Sequence, residues 1–212
     1  MRTHGAHRKT NDNISVGVDV AEARKGFDLV ALDDQRRIVC SHGRLSETDT
    51  VLLVTDEIRP VVVCIDSPPG WAHSGRSRAA ERELAGLGFP AFPVGADPGD
   101  HPFYRWMRAG MGLYKALEGT YPRYRSGDLR GTAFEVYPHA SAQRLAGRPR
   151  PAGTTKTTFR RAALAAHGVD EAQLTNIDRV DAALCALTGL LALRGCFEMV
   201  GDPLDGVVVV PN

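Results

Sequence analysis

The sequence predicts an α/β protein whose core is a mixed sheet flanked by helices. Three short apolar runs, at 15–20, 27–33 and 37–42, are separated by turn-forming residues, which is typical of an antiparallel meander. A helix through about Ile58 follows. The continuous apolar run Val61–Asp66 comes next and has the pattern of a strand buried on both faces. A meander, a crossover helix and a buried strand together predict antiparallel and parallel neighbours in one sheet.

Local signals define the individual elements. Ser46 with Asp49 three residues later predicts a capped helix start, and Pro60 ends that helix. The segment Ser67-Pro68-Pro69-Gly70 stops the buried strand, so Asp66 is expected at a carboxyl end beside a loop. The later patterns predict helices at 76–87, 103–117, 141–145, 154–167 and 177–194, an irregular or edge strand at 89–94, and strands at 134–137 and 207–210.

The chain of 212 residues is long enough for one domain with a sizeable core. We expect a flexible tail at 1–13 and a single domain at 14–212, in which 67–132 is an elaborated connection. Hydrophobic residues make up 43% of the chain and charged residues 24%, as in ordinary globular proteins. The net charge of +1 argues against a strongly basic binder of long nucleic acids.

The cysteines and the N-terminus indicate the expected compartment. The four cysteines lack the spacing of metal ligands, and Cys64 and Cys185 lie in apolar runs, which favours buried thiols. Residues 1–13 contain no apolar segment of the kind that a secretory signal needs. No stretch approaches the length of a membrane span, so we expect a cytoplasmic protein without a membrane partner.

Acidic residues occupy positions where burial would normally exclude them. Asp19 lies near the end of the first strand, Asp66 ends the buried strand, and Glu135 lies within a short apolar strand. Asp178 and Asp181 open the most apolar helix and share one face of it, although Asp178 could equally serve to cap that helix. Because a buried carboxylate must be paired or metal-bound to remain ionised, we expect these acids to meet at one edge of the sheet.

A convergent set of carboxylates suits a hard divalent cation. Mg²⁺ is usually held by one or two carboxylates together with substrate phosphate. Two such ions can stabilise the attacking and leaving oxygens of an in-line phosphoryl displacement. The sequence therefore favours phosphodiester chemistry that depends on Mg²⁺ or Mn²⁺, with a nucleic acid or a nucleotide as substrate.

Several motifs, in this order, resemble a known family. They are Gly17-Val18-Asp19, Ile65-Asp66-Ser67-Pro68-Pro69-Gly70, Phe134-Glu135-Val136-Tyr137-Pro138, Lys156-Thr157 and Asp181-Ala182-Ala183. Together they resemble a family of predicted ribonuclease H-like nucleases of unknown function found in bacteria and archaea. The helix motif Asp178-Arg179-Val180-Asp181 is similar to that of the RuvC-type branch of this fold. The resemblance covers about residues 14 to 195.

The resemblance implies a ribonuclease H-like fold and assigns roles to the acids. Asp19, Asp66 and Asp181 would be metal ligands, and Glu135 would be a ligand or would position the attacking water. Asp178 would be an additional ligand. By the same resemblance Lys156 would steady a phosphate or the developing negative charge, although a solvated helix lysine is an equally ordinary interpretation.

Two other functions fit parts of the same sequence. A non-catalytic module on this fold would bind a nucleic acid or nucleotide without cleaving it, and the near-neutral charge favours a nucleotide or short ligand over a long duplex. A sugar-kinase-like phosphotransferase also begins with a Gly-x-Asp strand. Such an enzyme needs a glycine-rich phosphate loop, for which Gly86-Leu87-Gly88 and Gly110-Met111-Gly112 are poor candidates.

Overall fold

Seven strands form one sheet in the computed structural model, which describes residues 11–212. Residues 1–10 of the predicted tail lie outside the described range, and the first strand already begins at Asn11. The strands are β1 (Asn11–Asp19), β2 (Phe27–Asp33), β3 (Ile38–Leu45), β4 (Pro60–Asp66), β5 (Thr132–Val136), β6 (Phe197–Asp202) and β7 (Gly206–Pro211).

The sheet combines an antiparallel half with a parallel half. Its strand order is β3-β2-β1-β4-β5-β7-β6. Strands β1, β2 and β3 form the predicted meander, whereas β4 is parallel to β1, β5 to β4, and β7 to β5. The register places Asp19 beside Asp66 and Ile65 beside Glu135. The carboxyl ends of three neighbouring parallel strands therefore carry acids at the same edge.

Within residues 11–212, six α-helices connect and cover the strands. They are α1 (Glu47–Leu52), α2 (Ala79–Gly86), α3 (Arg105–Leu117), α4 (Pro138–Ala146), α5 (Lys156–Ala166) and α6 (Ile177–Ala192). The predicted capping box of Ser46 and Asp49 opens α1, and a π-helical segment, Leu53–Ile58, continues it to the predicted end. Short 3-10 turns precede α3 and α6, at Pro102–Tyr104 and Glu171–Gln173.

The core lies on both faces of the sheet. On one face Val16 and Val18 of β1 pack against Leu113 and Leu117 of α3. On the other face α6 covers β1 and β2 and is buried along almost its whole length. Because α6 is buried on most sides, its sequence shows little periodic alternation of polar and apolar residues. The chain direction of α6 is opposite to that of β1, with Ala182 against Gly17 and Gly189 against Ser15, so its first turns lie at the edge that carries the acids.

The connection at 67–132 contains α2 and α3, and two glycines of α3 pack closely against neighbouring side chains. A Cβ at Gly110 would lie 1.9 Å from the Ser67 hydroxyl, and one at Gly112 would lie 2.5 Å from the Glu47 carboxylate. Both glycines are therefore helical packing positions, which removes Gly110-Met111-Gly112 as a phosphate loop. The predicted irregular segment at 89–94 forms no regular strand.

Strand β6 is absent from the predicted elements. It pairs with β7 as an antiparallel hairpin at the edge of the sheet, with Asp202 opposite Gly206. The turn residues Asp205-Gly206 are a hairpin signal that could have identified it. Most of β6 is only partly buried, which weakens its apolar pattern. No helix of residues 11–212 is long and apolar enough to cross a lipid bilayer.

Candidate metal centre

Three carboxylates from three elements meet at the carboxyl edge of the sheet. Asp19 ends β1, Asp66 ends the parallel strand β4, and Asp181 projects from the second turn of α6. One ligand oxygen from each lies within 4.8 Å of the others. We call these residues the acid triad. The sequence prediction that distant acids become neighbours is confirmed for this set.

Close packing between α6 and β1 brings Asp181 to the strand ends. Gly17 faces α6, and a Cβ there would lie 1.9 Å from the Ala182 carbonyl oxygen and 2.5 Å from the Ala186 nitrogen. Asn176 caps the helix by accepting a hydrogen bond from the Arg179 N–H. Glycine at position 17 is thus required by the approach of the helix backbone, and that approach determines where Asp181 lies.

Burial and like charge act together on the acid triad. Burial raises the pKa of Asp19 to about 9, and the neighbouring carboxylates of Asp66 and Asp181 contribute to the increase. Burial also raises the pKa of Asp66 to about 7, with Asp181 adding to the effect and Arg160 opposing it. Burial and like charge therefore both favour the protonated form of Asp19 and Asp66 when no cation is bound.

Two cations of α5 contact the third acid. The Lys156 ammonium lies 3.0 Å from one Asp181 oxygen, and the Arg160 guanidinium donates to the other oxygen. Lys156 is 55% exposed, whereas Arg160 is buried. Lys156 is one of the residues that the sequence predicts for the site, and Arg160 is not. A signal for Arg160 was available, because residues four apart on a helix share a face.

A family assignment covers this whole arrangement. A family model described as "Protein of unknown function (DUF429)" matches residues 17–205. The chain belongs to this family. Among solved structures, RuvC of Thermus thermophilus is similar, with 16% identity and a TM-score of 0.46 over 86% of this chain and 96% of that chain. Curated proteins contain no match to the chain.

The DUF429 segment contains the complete acid triad and most of the sheet. Its meander β3-β2-β1 followed by parallel β4 and β5 is the mixed sheet that the sequence predicts. The order of the motifs, Asp19 before Asp66 and Asp181 last, corresponds to the order in which β1, β4 and α6 reach the edge. The order of the three acids along the chain therefore agrees with the order of the elements that carry them.

Glu135 of this DUF429 protein lies beside the triad but outside it. Both of its oxygens accept hydrogen bonds from Arg78, at 2.8 and 2.9 Å. Arg78 also pairs with Glu81, so one buried guanidinium lies between two buried carboxylates. Burial raises the pKa of Glu135, while the Arg78 charge opposes that increase. Glu135 is predicted to be a metal ligand, but in the structure its carboxylate already has a cationic partner.

Asp178 does not cap α6 but forms an ion pair with a lysine. Its carboxylate lies 2.8 Å from the Lys25 ammonium, and the helix cap is Asn176. Its charge still contributes to the raised pKa of Asp19. Asp178 therefore borders the acid triad without joining the group of three oxygens.

A cavity of about 600 Å³ opens beside the acid triad. Asp66, Lys156 and Arg160 line its charged side, and residues of the connection at 67–132 line much of the remainder. His139 also lines it, and burial together with the Arg160 charge lowers the pKa of His139. Charged side chains of both signs line the cavity, and together with an apolar wall they are typical of a ligand site.

The donor set of the acid triad fits a hard divalent cation. It offers carboxylate oxygens, which Mg²⁺ and Mn²⁺ prefer, and it lacks thiolate or imidazole ligands among its three members. The raised pKa values of Asp19 and Asp66 reflect the cost of burying these acids and of placing them together. A bound cation would offset that cost because it favours the ionised form of each carboxyl.

Proposed function

We propose that this DUF429 protein hydrolyses phosphodiester bonds in a reaction that depends on Mg²⁺ or Mn²⁺. The substrate would be a nucleic acid or a nucleotide. The observation that carries the proposal is the acid triad, in which ligand oxygens of Asp19, Asp66 and Asp181 lie within 4.8 Å of one another. Such a site beside a cavity with cationic side chains suits a substrate that brings a phosphate group.

Asp19, Asp66 and Asp181 would hold the metal. When bound, the ion would polarise the phosphoryl oxygen and lower the pKa of a bound water. Lys156 is half-exposed and reaches both Asp181 and the cavity, so it can turn towards a substrate phosphate. Arg160 is buried against Asp181 and would hold that carboxylate in place.

Glu135 and Asp178 would act from the border of the site. Both Glu135 oxygens accept hydrogen bonds from Arg78. Glu135 is therefore better suited to orient a water molecule or a neighbouring strand end than to bind the metal directly. Asp178 can serve as an additional ligand only if it leaves Lys25, whose ammonium lies 2.8 Å away. We therefore propose the acid triad as the main metal ligands and these two acids as secondary groups.

Cleavage of fluorescent oligonucleotides in Mn²⁺ tests the proposal. The double variant Asp19→Asn, Asp66→Asn should lose cleavage by at least about a hundredfold, because the remaining carboxylate cannot hold the ion. Asp34→Asn is the matched control, since Asp34 is exposed in the β2–β3 turn at the other end of β2. Full activity in the double variant would reject the site.

One observation favours the non-catalytic alternative. Both Asp181 oxygens already have cationic partners, Lys156 and Arg160, so part of the triad charge is balanced without a metal. A binding module of this kind would show no response to Mn²⁺ in thermal unfolding. It would still bind nucleic acid in a manner that weakens with added salt.

A further inference from the structure

Four aromatic side chains of the connection form a continuous surface next to the cavity. Trp71 contacts Tyr104 edge-to-face at 5.7 Å between ring centroids, Tyr104 contacts Phe103 at 5.3 Å, and Phe103 contacts Phe92 at 5.0 Å. We call these four residues the aromatic strip. Phe92 is 66% exposed, and Phe103 is also exposed. Exposed aromatic side chains in contact with one another are typical of a binding surface.

The aromatic strip leads into the cavity beside the acid triad. Phe92 lines the cavity together with Trp106, while Asp66 and Lys156 line the same cavity. Planar apolar side chains and a cation that can bind phosphate, Lys156, therefore share one cavity. This combination matches a nucleotide, whose base is planar and whose phosphate is anionic.

One cation contacts the Trp71 end of the aromatic strip, and another lines the cavity at its Phe92 end. The Arg108 guanidinium lies over the Trp71 ring at 5.6 Å, and Arg105 is exposed and lines the cavity. Arginines interleaved with aromatic rings are the usual means by which proteins hold unpaired nucleic acid strands, because every base has a face that can stack. An apolar protein partner would not require these flanking charges.

We propose that the aromatic strip and the cavity bind single-stranded nucleic acid. One base enters the cavity against Phe92 and Trp106, and the adjoining nucleotides stack along the strip towards Trp71. Duplex nucleic acid is disfavoured because its paired bases cannot stack on these rings and because the net charge of +1 provides little affinity for a long backbone. The proposal extends the proposed function by naming its substrate class, and it rests on that function only for the cleavage step.

Tryptophan fluorescence can report this binding directly. The chain has two tryptophans, Trp71 in the strip and Trp106 in the cavity. Addition of a single-stranded oligonucleotide without metal should quench the emission, whereas the same sequence as a duplex should bind at least about tenfold more weakly. In Trp71→Phe the remaining emitter is Trp106, so quenching in this variant reports a base inside the cavity.

Variants at exposed positions locate the contact. Phe92→Ala should weaken single-strand binding by about tenfold, which is within the range for loss of one stacked base. Leu204→Ala is the matched control, because Leu204 is 75% exposed and does not line the cavity. Thermal unfolding should be the same for both variants, since neither side chain is buried.

Particular outcomes would overturn the proposal. Equal or tighter binding of the duplex, or unchanged single-strand affinity in Phe92→Ala, would show that the strip is not the contact surface. A mononucleotide that binds as tightly as an oligonucleotide would also reject it, because the strip would then add nothing to the cavity. Failure of this proposal is separable from failure of the proposed function, because the Asp19→Asn, Asp66→Asn variant should lose cleavage yet retain strand binding.

Discussion

At the scale of single residues, the acid triad places like charges together inside a folded protein. The raised pKa values of Asp19 and Asp66 come first from burial and then from neighbouring carboxylates. A group held in this way favours a bound proton or a bound cation over a free charge. The proposed metal binding would need these acids close together, whereas the stability of the metal-free protein is lowered by their closeness.

Asp66→Asn should stabilise the metal-free protein at pH 8. The pKa of Asp66 is raised from 3.8 to about 7, so its favourable contribution is complete below pH 3.8 and is lost as the pH rises through about 7. A difference of one in pKa between the folded and unfolded states corresponds to about 1.4 kcal/mol, and each kcal/mol changes the melting temperature by about 2–4 °C. Thermal unfolding at pH 8 and at pH 4 measures the stability that the variant gains.

The same experiment contains its own control. At pH 4 the Asp66 carboxyl is protonated in the folded state, so the advantage of the variant should shrink. At pH 8, addition of Mn²⁺ should raise the melting temperature of the wild type and leave that of Asp66→Asn nearly unchanged. A variant that is less stable than the wild type at pH 8 without metal would contradict the assigned cause.

Arg78→Met should destabilise the protein strongly. Arg78 is 1% exposed and is the cationic partner of both Glu81 and Glu135, which would be left buried. Removing one partner of a buried ion pair costs about 3–5 kcal/mol. Urea unfolding measures the loss, and Arg24→Met is the control, because Arg24 is 93% exposed and its Glu22 contact of 3.9 Å contributes little.

A second substitution separates charge from packing at this position. Adding Glu135→Gln to Arg78→Met removes one of the two unpaired charges, so the double variant should be more stable than Arg78→Met alone. If the two losses simply add, Arg78 contributes through packing and not through its charge.

Residues of the site differ in how far the sequence could predict them. Asp19 and Asp66 end apolar strands, and Asp181 interrupts an apolar helix, so each carries a local signal. The partnership of Arg78 with Glu135 carries none, because the two residues come from different elements and only folding brings them together. That contact gives Glu135, which lies outside the acid triad, a cationic partner of its own.

At the scale of elements, the approach of α6 to β1 determines the geometry of the centre. The carbonyl oxygen of Ala182 would lie 1.9 Å from a Cβ at Gly17. Ala182 follows Asp181 directly, so any displacement of this turn also displaces the carboxylate. The helix and the strand therefore act as one rigid support for two of the three acids.

Gly17→Ala should damage both stability and metal binding. The added methyl group must push α6 away from β1, and overpacking of this kind costs about 3 kcal/mol. The affinity for Mn²⁺ should fall at least tenfold because Asp181 moves away from Asp19. Gly86→Ala is the control: Gly86 ends α2 and a Cβ there meets open space, so stability should be unchanged or higher by up to about 1 kcal/mol.

Most elements follow from local patterns, and the exceptions have physical reasons. The meander, β4 and the long helix α6 all have strong apolar patterns at their own period. The predicted helix at 76–87 begins only at Ala79, because Arg78 adopts an extended cap conformation and turns its side chain inward to the two glutamates. Strand β6 was missed because pairing with β7 stabilises it despite its partial exposure.

At the scale of the whole molecule, the near-neutral charge and the shape of the site are consistent with each other. A net charge of +1 gives little general attraction for a nucleic acid backbone. Under the proposed function, recognition would then depend on local groups, which the cavity, Lys156 and the aromatic strip provide. The connection at 67–132 supplies most of the apolar cavity wall, and only tertiary packing places that wall against the sheet edge that carries the acids.

Calorimetric titration of the protein with Mn²⁺ at pH 7, repeated in buffers of different ionisation enthalpy, is the most direct test of the acid triad. Because the pKa of Asp19 is raised to about 9 and that of Asp66 to about 7, binding should release about one proton or more per protein, and affinity should rise from pH 6 to pH 9. Asp66→Asn should bind at least tenfold more weakly. Wild-type binding without proton release, or unchanged affinity in Asp66→Asn, would contradict a metal centre at these three residues.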